Sequence, residues 1–183
     1  MIRRRNAAQG RYRTVFETSL GFGGVVASES GLLEVFLPFG GASRAEMVAH
    51  FAGLYPAATT GNPVTRSAAH QLQRYFAGEP VIFDLPLDWS VFTPFQTAVY
   101  QMVVTISYGE VRSYGVIARQ IGRPRSARGV GRAMARNPLP IVIPCHRVVG
   151  SAGALTGYSA SGGILSKKWL LEMEQRGNQG KIE

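Results

Sequence analysis

Cysteine is almost absent from this chain: its 183 residues contain one, Cys145. A single thiol excludes an intrachain disulfide, and nothing resembles a CxxC pair or a Cys/His cluster at zinc-ligand spacing, since His50 and His70 stand alone. Long apolar runs are missing too. None approaches the ~18 residues that a membrane helix needs, and Met1-Ile2-Arg3-Arg4-Arg5 is not followed by the apolar segment of a secretory signal. These absences predict a soluble, cytoplasmic protein with no metal site. What is present, 45% apolar residues with nine Phe, seven Tyr and two Trp, is enough to bury one large core or two small ones.

Acidic residues are absent from one long stretch. Between Glu110 and Glu172 there is none, while Arg112, Arg119, Arg123, Arg125, Arg128, Arg132, Arg136, Arg147, Lys167 and Lys168 all fall there. A surface charged only for solubility intersperses both signs and favours Lys, whereas here Arg outnumbers Lys 17 to 3. The bias points to a polyanionic partner, most simply nucleic acid.

Local signals divide the chain in two. Residues 1–10 read as a loose basic tail. Gly24–Ala27 and Leu32–Leu37 flank the turn residues Ser28-Glu29-Ser30-Gly31, as in a hairpin. Ser43-Arg44-Ala45-Glu46 is a capping box opening a helix that Tyr55-Pro56 ends, and a second helical pattern runs from Pro63 to Ala77 before Gly78. Val81–Leu85 reads as a strand. From Thr93 the pattern becomes consecutive helices: Thr93-Pro94-Phe95-Gln96 starts one that stops at Tyr108-Gly109. Ser113 caps a second over Tyr114–Gln120, and Ser126 caps a third over about Ala127–Arg136. Two short helices joined by a Gly/Pro turn outline a helix-turn-helix. The fold class expected is α+β, with a domain over residues 1–88 and a mostly helical one over 89–183.

In the third helix, Ala127, Val130, Gly131 and Met134 share an inward face, while Arg128, Arg132 and Arg136 form a stripe with no Glu between them. Gly129 and Gly131 each cost about 1 kcal/mol of helix propensity, and their small size suits close approach to another surface. Such a helix is expected to face DNA.

Leu139–Ile143 reads as a buried strand delivering Cys145 to a fixed place in Ile143-Pro144-Cys145-His146-Arg147-Val148. The basic surroundings are expected to lower the thiol pKa, and His146 offers a base, although a sequence neighbour need not be a spatial partner. A cysteine hydrolase would have no use for an arginine-loaded helix-turn-helix. A thiolate attacking an alkyl carbon on DNA would, and it would need its target base flipped out of the stack.

The stretches FDLPLD, TPFQTAVY, YGEVRSYGVIA, SARGVGRAMARNP, IPCHRVVG, GALTGYS and KKWLLEME, across about residues 83–175, resemble the O6-alkylguanine-DNA alkyltransferases. The resemblance implies a ribonuclease H-like N-terminal domain and a winged helix-turn-helix domain carrying the cysteine. It implies no cofactor and no metal. Cys145 would be the alkyl acceptor, His146 its base, Glu174 rather than Glu172 the orienting carboxylate, and Asn137 the link from the DNA-facing helix to the active segment. Arg128 would replace the flipped base, with Tyr114, Gly115, Arg123, Arg132 and Ser151 on DNA. Met134, Val148, Tyr158 and Ser159 would line the pocket. The implied partner is double-stranded DNA containing O6-alkylguanine, with O4-alkylthymine as a second lesion, bound by a monomer and consumed in a single irreversible transfer. A related class that only binds lesions replaces the cysteine. Two residues, Ala160 and Ser161, are inserted before Gly162-Gly163 relative to the family pattern.

Overall fold

Val25, Val26 and Ala27 are consecutive and all fully buried; in a strand, where successive side chains alternate, this requires a sheet covered on both faces. They lie in β2 (Gly21–Ser28), which pairs antiparallel with β1 (Tyr12–Thr18) and with β3 (Gly31–Phe36). A short β4 (Thr59–Thr60) joins β1 in parallel, giving the order β3-β2-β1-β4. The hairpin anticipated at Ser28–Gly31 is the β2–β3 turn. In this computed structural model residues 10–38, 40–155 and 162–179 are described, and the chain divides into units 1–91 and 92–183. The basic tail lies outside the described residues except for Gly10.

Helix α1 (Arg44–Leu54) begins at the anticipated capping box, with the Ser43 hydroxyl accepting from the Glu46 amide and the Glu46 carboxylate accepting from the Ser43 amide. It contributes Met47 and Phe51 to a core with Val26, Leu33 and Tyr55. Gly24 is what lets it sit so close, because a Cβ there would collide with the Phe51 ring. Helix α2 (Pro63–Phe76), capped by Asn62, packs Ala68, Leu72 and Tyr75 inward and lies against β1 and β2.

The expected strand over Val81–Leu85 does not form. The segment alternates between inside and outside, with Val81 buried and Ile82 exposed, but it lies between Pro80 and Pro86 and pairs with nothing until residue 86. The β3 edge is bonded instead by Pro86 and Asp88: the Leu32 amide donates to the Pro86 carbonyl at 2.7 Å and the Asp88 amide to the Leu32 carbonyl at 3.1 Å.

In the second unit, α3 (Pro94–Val103) starts at Thr93 with a complete capping box. A two-residue strand β5 (Arg112–Ser113) leads into α4 (Tyr114–Gln120), a turn through Gly122 comes next, and α5 (Ala127–Ala135) completes a helix-turn-helix. Ser126 occupies the start of α5 as expected, but its side chain makes no capping bond, because its backbone is not extended (φ −101°, ψ 20°). Val130, Ala133 and Met134 are the buried residues of α5. Ala133 was not in the expected inward set, while Ala127 and Gly131 remain half-buried. β6 (Val148–Val149) pairs parallel with β5, and α6 (Gly163–Gln179) closes the unit.

Candidate active site

The segment before the cysteine is not the strand its composition suggests. Leu139–Ile143 is fully buried but folds as a turn closed by the Ile143 amide donating to the Leu139 carbonyl at 2.8 Å, with Ile141 at φ +74°. A β-branched residue at positive φ persists only where surroundings enforce it. Asn137 supplies part of that enforcement: its Nδ2 donates to the Ile143 carbonyl at 2.8 Å, and its Oδ1 accepts from the Leu139 amide at 3.0 Å. The end of α5 is thereby tied to the turn that presents Cys145. Tyr100 of α3 adds a second tie, its hydroxyl donating to the Ala133 carbonyl at 2.9 Å.

Cys145, His146 and Arg147 form one 3-10 turn, held between β5–β6 on its C-terminal side and α6. All three are buried, His146 completely. From α6 the equally buried Glu174 receives four donors: His146 Nε2 at 2.8 Å, Arg147 Nε at 2.9 Å and Nη2 at 2.8 Å, and the Gly109 amide at 3.0 Å. Arg147 Nη1 donates to the Ile106 carbonyl at 2.7 Å, and its guanidinium lies over the Tyr108 ring. Glu172 is on the surface, 3.7 Å from Lys168. A carboxylate only accepts, so Nε2 of His146 carries a proton and the neutral ring has its lone pair at Nδ1.

Charge at the site differs from the expectation. Burial pushes the Cys145 thiol above its ordinary pKa, despite a hydrogen bond from Asn137 and the positive charge of Lys167. The resting group is therefore a thiol rather than a thiolate. Two of the ten cations lie inside the fold: Arg147 is neutralised by Glu174, and Lys167 is fully buried, donating to the Val148 carbonyl at 2.6 Å with its ammonium 5.9 Å from the Tyr114 ring centroid. Burial lowers the Lys167 pKa, and the cysteine opposes that. The sequence leaves Arg147 open between a structural ion pair and a DNA contact, and the structure pairs it with Glu174; Lys167 is given no role by the sequence, although Lys167, Leu170 and Glu174, at i, i+3 and i+7, put two ionisable groups on the buried face of α6.

The other anticipated residues are spread around this turn and along the helix-turn-helix. Tyr114 and Gly115, half-buried, open α4; Met134 and Val148 are buried; Ser151 is exposed at the start of a short 3-10 turn. Arg123, Arg128 and Arg132 are all exposed on the helix-turn-helix. Within the fold only one of the helix's glycines is pressed for space: a Cβ on Gly129 would come within 3.1 Å of Phe95, whereas one on Gly131 would meet Tyr114 at an ordinary 3.9 Å. Tyr158, Ser159 and the two inserted residues lie outside the described residues. Among the described residues no group of three or more His, Cys, Asp or Glu could hold a metal ion, and no helix is long and apolar enough to cross a membrane.

Residues 11–89 match the ribonuclease-like domain of 6-O-methylguanine DNA methyltransferase, and residues 94–176 match its DNA binding domain. The chain belongs to this family. A methylated-DNA–protein-cysteine methyltransferase from Mycobacterium tuberculosis is 54% identical over 108 residues, 59% of this chain and 64% of that protein's length. The constitutive methylated-DNA–protein-cysteine methyltransferase of Bacillus subtilis is 41% identical over 164 residues, 90% of this chain and 95% of its own. A crystal structure of the M. tuberculosis protein in complex with DNA superposes with a TM-score of 0.72 at 38% identity, covering 91% of this chain and 94% of that one.

The buried Glu174 cluster makes the stability of this chain depend on pH. Burial lowers the pKa of His146 from 6.5, so below about pH 6.5 the unfolded chain binds a proton that the folded chain does not. Burial works to raise Glu174, but hydrogen bonds and charges from His146 and Arg147 outweigh it and hold the carboxyl far below its ordinary 4.5. The unfolded state therefore binds more protons in both ranges, and stability rises with pH through them. Denaturant melts of the C-terminal unit should show stability falling as pH drops below about 6.5 and falling more steeply below about 4.5. Equal stability at both ends of this range would contradict the burial of the pair.

Proposed function

We propose that this chain repairs duplex DNA by flipping out O6-alkylguanine, and also O4-alkylthymine, and moving the alkyl group irreversibly to Cys145. The observation that carries the reading is a lone buried thiol next in sequence to a histidine that is buried against a carboxylate, tied through Asn137 to the end of an arginine-lined helix. The thiol rests protonated, so it needs a base. Neutral His146 serves, taking the proton at Nδ1 through a water while Glu174 stabilises the resulting imidazolium. The sulfur then displaces guanine O6 from the alkyl carbon: one C–S bond forms, one C–O bond breaks, and the released guanine takes up a proton, with Tyr114 as donor.

Arg128 fills the space left by the extruded base, with α5 in the minor groove, while Tyr114, Gly115, Arg123, Arg132 and Ser151 hold the DNA backbone. The carbonyls of Cys145 and Val148 accept from the guanine amino group. Lys167 occupies one lone pair of the Val148 oxygen and leaves the other. The product is a thioether, and with Cys145 the only thiol in the chain nothing regenerates it. One protein molecule, acting as a monomer, therefore repairs one lesion. A member of the lesion-binding class would lack the thiol, so the presence of Cys145 argues against that reading. Cys145→Ser separates the two steps: it should bind O6-methylguanine duplex yet leave the methyl group on the DNA, and a Cys145→Ser protein that still cleared the lesion would overturn the assignment.

A further inference from the structure

The sheet of the N-terminal unit has one edge that its own chain covers only in part. Along β1 the odd-numbered residues turn their backbone groups toward β4: the Arg11 carbonyl accepts from the Thr59 amide at 3.0 Å and the Arg13 carbonyl from the Gly61 amide at 2.9 Å. The even-numbered residues bond β2. At Gly61, with φ +65°, the chain turns away into the Asn62 cap of α2, so β4 ends at Thr60 while β1 runs on to Thr18. Past that point the Val15 amide and carbonyl and the Glu17 amide point outward with no hydrogen-bond partner among the described residues. The Glu17 carbonyl is met by a side chain, accepting from Gln73 Nε2 at 3.1 Å.

A recess of about 360 Å³ lies along this open edge. Arg66, Ala69, His70 and Gln73, at i, i+3, i+4 and i+7, form its α2 wall, and Phe22 and Arg44 belong to the other side. A Cβ on Gly61 would come within 3.2 Å of Arg66 Nη1, which puts that guanidinium where β4 stops. Arg44, Arg66 and His70 are exposed, and Glu17 is the only carboxylate in the lining. No residue of this recess has a part in the alkyl transfer. Unpaired edge groups are a template for a further strand, and no lysine, proline or bulge interrupts β1 here to prevent one from adding. Backbone bonds of that kind give affinity without choosing a sequence. The choice comes from the walls, where two guanidinium groups and an imidazole outnumber one carboxylate.

We propose that the β1 edge docks an extended acidic segment of another protein as an added strand. Its backbone bonds Val15 and Glu17 in the place that β4 vacates, and its carboxylates, on alternate residues, face Arg66 and His70. The open length from Val15 to Thr18, about 13 Å, fits a segment of roughly four to six residues.

The test is amide hydrogen exchange of the full chain, followed by NMR, with an end-capped synthetic hexapeptide of alternating Glu and Val as the probe. At saturating peptide the Val15 and Glu17 amides gain partners and should exchange roughly tenfold more slowly or better. The Thr14 and Phe16 amides, already bonded to β2, should not change. Arg44→Gln with Arg66→Gln should weaken the peptide by about 5–10-fold, the scale of two exposed ion pairs, and Gln in place of Glu in the peptide should weaken it similarly. N-methylation of alternate peptide residues should abolish binding in one phase and spare it in the other, because only every second amide faces β1. No slowing at either amide, slowing undiminished by the paired Gln substitutions, or equal effects of both methylation phases would overturn the proposal. So would slowing produced by an undamaged duplex in place of the peptide, which would make the occupant DNA. Slowing that follows rising protein concentration alone would make it a second copy of the chain and overturn the proposal too.

Discussion

Glu174→Ala is expected to destabilise the C-terminal unit by about 3–5 kcal/mol, among the largest effects of any single substitution here, because it leaves a buried guanidinium without its counter-charge. The carboxylate accepts from His146, from Arg147 twice and from the Gly109 amide, so its removal strands donors on three residues at once. Alkyl transfer should fail as well, since His146 loses the group that fixes its tautomer. Glu174→Gln distinguishes the two losses. It keeps the shape and one carbonyl acceptor, so it should recover part of the stability while remaining a poor partner for an imidazolium. Glu172→Ala, two residues away and exposed beside Lys168, should change stability by no more than about 0.5 kcal/mol. Urea melts of the three variants, read beside their single-turnover rates, check the assignment. Equal melts for Glu172→Ala and Glu174→Ala would refute it.

The second large effect concerns Arg128, exposed at the second position of α5. Extruding a paired base costs a few kcal/mol, and a side chain that fills the vacated stack offsets part of that. Arg128→Ala should therefore slow methyl transfer from duplex DNA by roughly 10–100-fold, with about 1.4 kcal/mol for each factor of ten. On a single-stranded oligonucleotide, where no stack needs filling, the loss should shrink to a few-fold. A variant equally slow on both substrates would make Arg128 a phosphate contact rather than a replacement for the base.

Helices announce themselves in the sequence because their signals are local. Ser43 with Glu46 and Thr93 with Gln96 each mark a start to the residue, since a capping box needs only four consecutive positions. Strands are harder. Tyr12–Thr18 mixes polar and apolar residues and carries no clear signal, yet it forms β1 because β2 and α2 cover it. Val81–Leu85 and Leu139–Ile143 have a strand's composition without a strand's partner: the first extends unpaired between two prolines, and the second closes into a turn with Ile141 at positive φ. Both outcomes depend on residues distant in sequence, which an apolar run cannot report.

The same distinction applies to the site. Cys145 stands out because it is the only cysteine, and the choice of Glu174 over Glu172 rests on matching α6 to a family pattern; in the structure it is Glu174 that faces His146. The sequence misleads on the state of the thiol, because positive charge nearby in sequence is not positive charge nearby in space. Arg147 is spent on Glu174 and the exposed arginines lie in solvent, leaving Lys167 as the cation that acts on the sulfur, against a larger opposing effect of burial. The reaction then requires a base as well as a nucleophile.

The central claim is that Cys145 accepts an alkyl group once and keeps it. Intact-mass spectrometry of the protein after incubation with an excess of O6-methylguanine duplex, together with peptide mapping, tests it most directly. The account predicts that a methyl group replaces one hydrogen per chain, on Cys145, with lesion consumption stopping at one equivalent. Unmodified protein, a methyl on any other residue, or continued turnover past one equivalent would contradict it.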